Sequence, residues 1–257
     1  MYKCPICHQA LIKGLHSFNC INQHNFDISK HGYVNLLKRN SKHQGDDSTL
    51  VKSRIAFLKQ DYYFSLKQRL NTLLAQHKPQ VLIDLACGSG YYTKDLPSTI
   101  TIGIDLSKDA IQYACKQDKK NQYIIASIFD VPLMDHCADV ITTIFAPSAN
   151  EEIIRLLKQD GLYIRVDPGS HHLLQLKETL YEEVFLNPIK HIQHQRLTLK
   201  NTIEVKETIT LNQEDLLHLF NMTPYRYKTK VESIKKLQAL NTLEVTIHFM
   251  IYIYQKN

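Results

Sequence analysis

No stretch of the 257 residues approaches the roughly 20 consecutive apolar residues that a bilayer-spanning helix needs. The longest candidate, Ile247–Tyr254, is too short and reads as a strand. The opening residues Met1-Tyr2-Lys3-Cys4 lack the apolar run of a secretory signal. The expectation is a cytoplasmic protein with no membrane association. A long internal repeat and a low-complexity linker are also missing, which argues against a repeat architecture. The remaining composition, 44% hydrophobic, suits one ordinary globular domain plus a small appendage. That length buries a real core without covalent staples.

Charge is unevenly spread. Before residue 46 the cations Lys3, Lys13, Lys30, Lys38, Arg39 and Lys42 face only Asp27, so nearly all of the formal excess of +6 sits there. A local cluster of this kind fits either a binder of phosphate backbone or a plainly solvated face. The six cysteines of a cytosolic chain are not read as disulfides. Cys87, Cys115 and Cys137 are scattered through the apolar body as small hydrophobes. Cys4 and Cys7, separated by two residues, precede Cys20 and His24, separated by three, with 12 residues between the pairs. Two knuckle-like pairs at this spacing close a tetrahedral Zn²⁺ site with no open position, which makes the metal structural. His8 and His16 compete for the fourth place; His24 is preferred because its spacing mirrors the first pair.

Residues 1–37 therefore form a candidate zinc module, 38–78 a linker and helices, and 79–257 the main domain. Ser48 is a plausible cap for a helix carrying Ile55, Phe57 and Leu58, and Ser65–Gln76 repeats leucines at helical spacing. After Pro79 come strand Val81–Ala86, a helix beginning over Tyr91–Leu96, strand Thr101–Leu106, helix Lys108–Gln117 and strand Tyr123–Ile128. Strand Val140–Phe145, helix Asn150–Lys158 and strand Leu162–Val166 follow. Apolar strands alternating with helices predict a parallel sheet covered on both faces. Helix His172–Glu183, strand Ile203–Leu211, helix Glu214–Phe220 and strand Leu243–Tyr254 complete the reading.

The sharpest element is Asp84-Leu85-Ala86-Cys87-Gly88-Ser89-Gly90, directly after an expected strand. Gly88 and Gly90 lack the Cβ atoms that would block a ligand approaching the backbone. Asp105 ends the next strand about twenty residues on, where a carboxylate accepts the hydroxyl protons of a ribose. The third glycine of the dinucleotide fingerprint is absent, so a full pyrophosphate cradle is not built. The pair of motifs resembles those of class I methyltransferases, and the fold this implies is α/β, a Rossmann-like sheet with S-adenosylmethionine as cofactor. The family often has an acidic residue where Ser127 stands; Ser127 still hydrogen-bonds, and Ile128 packs on the adenine face in this reading. The two late strands fit the closing hairpin of such sheets.

The zinc pairs, Phe26-Asp27 with His31-Gly32-Tyr33-Val34-Asn35-Leu36-Leu37, Gly45-Asp46, Ser53–Leu58, Tyr62-Tyr63, Phe145-Ala146-Pro147, Pro168-Gly169, His172-Leu173 and Met222–Tyr225 together resemble one further family. It comprises the 23S ribosomal RNA guanine-N1 methyltransferases that modify a hairpin loop of domain II. The resemblance implies zinc on Cys4, Cys7, Cys20 and His24, and cofactor contacts from Tyr63, Gly88, Ser89 and His172. It also implies a homodimer acting on 23S rRNA. Ser89 departs from the glutamate of many members, and residues 187–210 are less similar; the branch typical of Gram-negative bacteria is the closer expectation. The catalytic base is left open among Asp46, Asp167 and solvent, since spacing selects none. Two other readings compete. A methyltransferase of a small molecule or protein would bind the cofactor without salt-sensitive RNA affinity; a non-catalytic nucleic-acid module would not bind the cofactor at all.

Overall fold

The computed structural model describes residues 1–38, 46–189 and 191–257. Arg39 and Lys42 of the basic cluster, and Gly45, lie outside these. The N-terminal segment folds as an antiparallel sheet of β1 (Ile12–Lys13), β2 (Ser17–Asn19) and β3 (Asn25–Asp27), followed by β4 (Val34–Asn35). Helices α1 (Ser48–Lys59) and α2 (Phe64–His77) lead into the body. There β5 (Val81–Leu85), β6 (Ile100–Asp105), α3 (Lys108–Gln117), β7 (Gln122–Ile125), β8 (Ala138–Ile144), α4 (Asn150–Leu156) and β9 (Leu157–Pro168) follow one another. The chain ends with α5 (Leu174–Leu180), β10 (Leu197–Asn212), α6 (Gln213–Asn221), α7 (Val231–Gln238) and β11 (Thr242–Lys256).

One eight-stranded sheet runs β10-β11-β9-β8-β5-β6-β7-β4. β4 to β9 pair in parallel, while β11 is antiparallel to both β9 and β10. The expected closing hairpin is thus present, with β11 inserted beside β9. All five residues of β5 are buried because helices and the N-terminal segment cover opposite faces, as a central parallel strand requires. On one face Leu66, Leu70 and Leu74 of α2 pack with Val166 and Phe249. Each such leucine contributes roughly 1.5–3 kcal/mol by leaving water.

The opposite face shares its core with the N-terminal segment. Cys4, Leu11, Phe18, Cys20 and Val34 belong to the same buried cluster as Ile83, Leu85 and Tyr163. Main-chain bonds lock the join: Lys3 N–H donates to Pro132 O at 2.9 Å, Met134 N–H to Met1 O at 2.8 Å, and Leu36 N–H to Ile125 O at 2.9 Å. Beyond β7 the sheet gains β4 as its edge strand.

Several boundaries differ from the sequence reading for identifiable reasons. Asp47 caps α1, its Oδ1 accepting from Leu50 N–H at 2.9 Å, and Ser48 is already helical. The helix expected over Tyr91–Leu96 is only a 3₁₀ turn, Thr93–Asp95. Pro97 pushes Leu96 to ψ 126°, out of the helical region. The helix expected over His172–Glu183 begins later, at Leu174, after Leu173 in the left-handed region, and ends at Leu180. Helix α7, polar over much of its length, escaped the sequence reading.

The last strand also fastens α4. Lys256 is buried, and its Nζ donates to Ile154 O in the last turn of α4 and to Leu157 O just past it, both at 2.7 Å. Burial lowers its pKa from the ordinary lysine value. Lys256→Met should keep the packed stem, remove the Lys256 donor from Ile154 O and leave Leu157 O with the His136 ring nitrogen at 3.0 Å. The expected loss is about 1–3 kcal/mol, read as a lower urea midpoint at unchanged slope.

Candidate active site and metal centre

β5 pairs with β6 on one side and β8 on the other, so the connections leaving β5 and β8 diverge at their C-terminal ends. Such a reversal of strand order opens a crevice in an α/β sheet. Here it holds a cleft of about 860 Å³, within the size range of small-molecule sites. Tyr63, Asp84, Gly88, Ser89, Asp105, Ile128 and His172 all line it; Gly90 and Ser127 do not.

The turn after β5 explains that division. Ala86 (φ 60°), Gly88 (φ 55°) and Gly90 (φ 74°) all lie in the left-handed region. A Cβ on Gly88 would meet nothing within 4 Å, so its bare face looks into open cleft. A Cβ on Gly90 would fall 2.9 Å from the Tyr123 hydroxyl and 3.0 Å from Ala114 Cβ. Gly90 therefore makes room for Ala114 of α3 and Tyr123 of β7. Ser127 Oγ accepts from Phe129 N–H at 3.2 Å, shaping the turn after β7 while Ile128 reaches the cleft.

Asp105 ties two turns together. Its Oδ2 accepts from Gly88 N–H and its Oδ1 from Ser107 N–H, each at 2.8 Å. Each carboxylate oxygen keeps acceptor capacity for a ligand. Burial raises its pKa against those two bonds. Asp84 lies deeper, 2% exposed, with Thr93 Oγ1 and Thr142 Oγ1 donating to it at 2.6 and 2.7 Å. Burial pushes it up to about 6.

The other end of the cleft is aromatic. Tyr63 sits 6.2 Å from Phe145, 6.1 Å from His172 and 4.8 Å from Phe249, ring centre to ring centre. Its phenol is raised by burial. His172 Nδ1 accepts from His248 N–H at 3.2 Å, which places the ring proton on Nε2. Burial first, then Lys177 and His248, lower His172 to about 3, so the ring is neutral at physiological pH. Phe145 (φ 57°) and Leu173 (φ 56°) hold left-handed conformations beside it, backbone strain of the kind that gathers at functional sites. Asp167 lines this end too, with Arg165 Nη2 at 2.7 Å.

Sequence reading missed three cleft residues. Arg54, paired with Asp46 at 2.5 Å, is the one Lys or Arg side chain lining the cleft among the described residues. The Tyr92 hydroxyl is buried without a hydrogen-bond partner. Phe129 lines the cleft while 52% exposed. Helical periodicity is blind to Arg54, because any solvated helix face carries arginines.

In the N-terminal segment the ligand atoms of Cys4, Cys7, Cys20 and His24 all lie within 4.8 Å of one another. Cys4 Sγ and Cys20 Sγ are 3.5 and 3.4 Å from His24 Nδ1, and Cys7 Sγ is 3.6 Å from Cys20 Sγ. Tetrahedral Zn–S bonds of about 2.3 Å require edges of about 3.8 Å, so the donor set fits zinc. Each pair closes through a left-handed residue, His8 (φ 61°) and Gln23 (φ 62°). His8 and His16 stay outside the cluster.

The family model described as "RlmA, N-terminal" and named a zinc ribbon matches residues 2–44, and the one described as "Methyltransferase domain" matches residues 76–231. A protein of Bacillus subtilis (strain 168), provisionally named 23S rRNA (guanine-N(1)-)-methyltransferase YxjB, is 28% identical over 100% of this chain and 97% of its own length. The 23S rRNA (guanine(748)-N(1))-methyltransferase of Streptomyces fradiae is 29% identical over 69% of this chain and 67% of its own. With its glycine cradle at the reversal of strand order and a zinc ribbon packed on the sheet, the chain belongs to the methyltransferase domain family and is a methyltransferase.

Proposed function

We propose that the chain transfers a methyl group from S-adenosylmethionine to N1 of a guanine in a domain II hairpin loop of 23S rRNA. The observation that carries this reading is one continuous cleft with a glycine-and-carboxylate end and an aromatic end, behind a zinc ribbon, in a chain whose relatives bear that activity in their names. The expectation of a Gram-negative branch draws no support from relatives of Bacillus and Streptomyces.

The cofactor fits what lines the first end. The bare face of Gly88, with Ser89 beside it, leaves room for the nucleoside against the backbone. Asp105 takes the ribose hydroxyls and Ile128 the adenine face. Arg54, the cleft's one guanidinium among the described residues, meets the cofactor carboxylate, and the unpartnered Tyr92 hydroxyl offers a further bond. Asp84 and Gly90 hold the turn from behind. When bound, the cofactor supplies a methyl group activated by its sulfonium. The residues' part is alignment: Tyr63 and the neutral His172 close the aromatic end, and Phe145 offers its half-exposed ring for an unstacked base. Zinc would be held by Cys4, Cys7, Cys20 and His24 as structural metal. A homodimer and a cytoplasmic location complete the reading; no described helix is long and apolar enough to cross a membrane. The test is incubation with labelled cofactor and unmodified 23S rRNA followed by mapping of the methylated nucleotide. Label on protein or small molecules alone would refute it.

Three outcomes follow from these assignments. Gly88→Val should cost about 1–2 kcal/mol of stability for the left-handed backbone. The fold should survive, since no protein atom opposes the new Cβ, yet calorimetry should find cofactor affinity lost; undiminished affinity would remove the assignment. RNA affinity should fall at least about tenfold between 50 and 200 mM salt if the exposed Lys13, Lys30 and Lys38 hold phosphates. A flat salt response contradicts that. Chelation should release about one zinc per chain. Because the ribbon and sheet share a core, it should lower a single melting transition; a body melting independently of the ribbon would contradict this.

A further inference from the structure

Four carboxylates line the cleft: Asp46, Asp84, Asp105 and Asp167. Three are committed elsewhere. Asp46 is half exposed at the mouth and paired with Arg54. Asp84 is buried beneath two threonine hydroxyls, and Asp105 is held by the backbone at the glycine end. Asp167 stands at the end of β9, whose Val166 accepts a bond from Phe145 N–H at 2.9 Å. It therefore sits next to Phe145, Ala146 and Pro147 at the aromatic end.

Resting on the reading of the cleft as a guanine-N1 methyltransferase site, we propose that Asp167 is a catalytic residue that binds the guanine edge and accepts the N1 proton. Neutral guanine N1 carries hydrogen in the ring plane and has no free pair for a methyl carbon there. Guanine offers two adjacent donors on this edge, N1–H and the N2 amino group. A carboxylate is the complementary acceptor, whereas adenine presents an acceptor at N1 and is repelled. Contact with the N2 amino group draws the carboxylate to the flank of N1 and leaves the in-line path open. The N1 proton passes to an Asp167 oxygen. The freed N1 pair then forms the bond to the methyl carbon of S-adenosylmethionine, while the methyl–sulfur bond breaks with its pair remaining on sulfur. The carboxyl group afterwards loses its proton to water.

The surroundings suit that task. Burial raises the Asp167 carboxyl and Arg165 opposes it, with burial prevailing, so the group is a stronger base than a free aspartate. The other titratable groups nearby are phenols, Tyr163 on the same strand and Tyr252 on β11, together with the neutral His172 across the cleft. Arg165 bonds Asp167 at 2.7 Å and holds it in place between turnovers.

The test compares the parent chain with Asp167→Asn and Asp167→Glu on unmodified 23S rRNA across a range of pH, with cofactor affinity measured by calorimetry. The parent rate should fall as pH drops through the Asp167 pKa. Asp167→Asn should lose at least about 100-fold in kcat at neutral pH. Its acid limb should vanish, and its rate should climb with pH as N1 ionises unaided, with cofactor affinity within about twofold of the parent. Asp167→Glu should keep an acid limb. An Asp167→Asn rate within about threefold of the parent, with the same acid limb, overturns the proposal. If Asp167→Asn loses cofactor binding, Asp167→Glu decides: retention of the limb supports the proposal and its absence overturns it. Cofactor binding by a parent chain that never methylates the RNA would instead sink the underlying reading of the substrate.

Discussion

The cleft depends on one interaction, the bond from Gly88 N–H to Asp105 across two neighbouring parallel strands. A carboxylate accepting two backbone N–H groups is a strong clamp because one partner is charged and the surroundings are poor in water. It fixes the turn after β5 against the turn after β6, at a point where Gly88 holds a positive φ. The remaining glycine at the turn solves a different problem. Gly90 lets Tyr123 come close enough to pack beneath the loop. Two glycines that look alike in sequence thus serve opposite sides of one turn, one facing the open cleft and one facing the core.

The ribbon is an integral part of this fold rather than an ornament. A segment of fewer than forty residues cannot bury enough surface to fold alone, and its four ligand side chains lie around one point. Phe18, Leu11 and Val34 then complete a core that Ile83, Leu85 and Tyr163 begin. The sheet gains an eighth strand and the ribbon gains a hydrophobic floor. Its exposed lysines are thereby held in a fixed relation to the cleft, as any shared grip on a long polyanion requires.

Much of the architecture was legible because parallel strands advertise themselves as apolar runs, and β5 to β9 were found close to their places. Helix α3 was read to the residue, and in the structure Ser107 caps it, its side chain accepting from Ala110 N–H. The cysteine spacing pointed to the cluster of Cys4, Cys7, Cys20 and His24, which leaves out His8 and His16. What stayed hidden was set by tertiary contact. Pro97 cut short a helix that local propensity favoured. Ser127 turned toward its own backbone, and Arg54 became a cleft residue only because α1 packs across the mouth. Lys256 lies beyond the strand end expected at Tyr254 and is a buried cap.

The two ends of the cleft pose different electrostatic problems. At the glycine end, a nucleoside with zwitterionic tail needs acceptors for hydroxyls and a cation for its carboxylate, which Asp105 and Arg54 are suited to supply. At the aromatic end, in the proposed reaction, a guanine must lose a proton beside an incoming positive sulfonium. A protonated histidine there would repel the sulfonium, and burial holds His172 neutral with its proton on the nitrogen away from β11. The proposed Asp167 carboxylate would attract the sulfonium's positive charge and receive the proton. An uncharged imidazole beside a carboxylate held by Arg165 would suit this end of the cleft to the proposed methylation of a ring nitrogen that begins without a free electron pair.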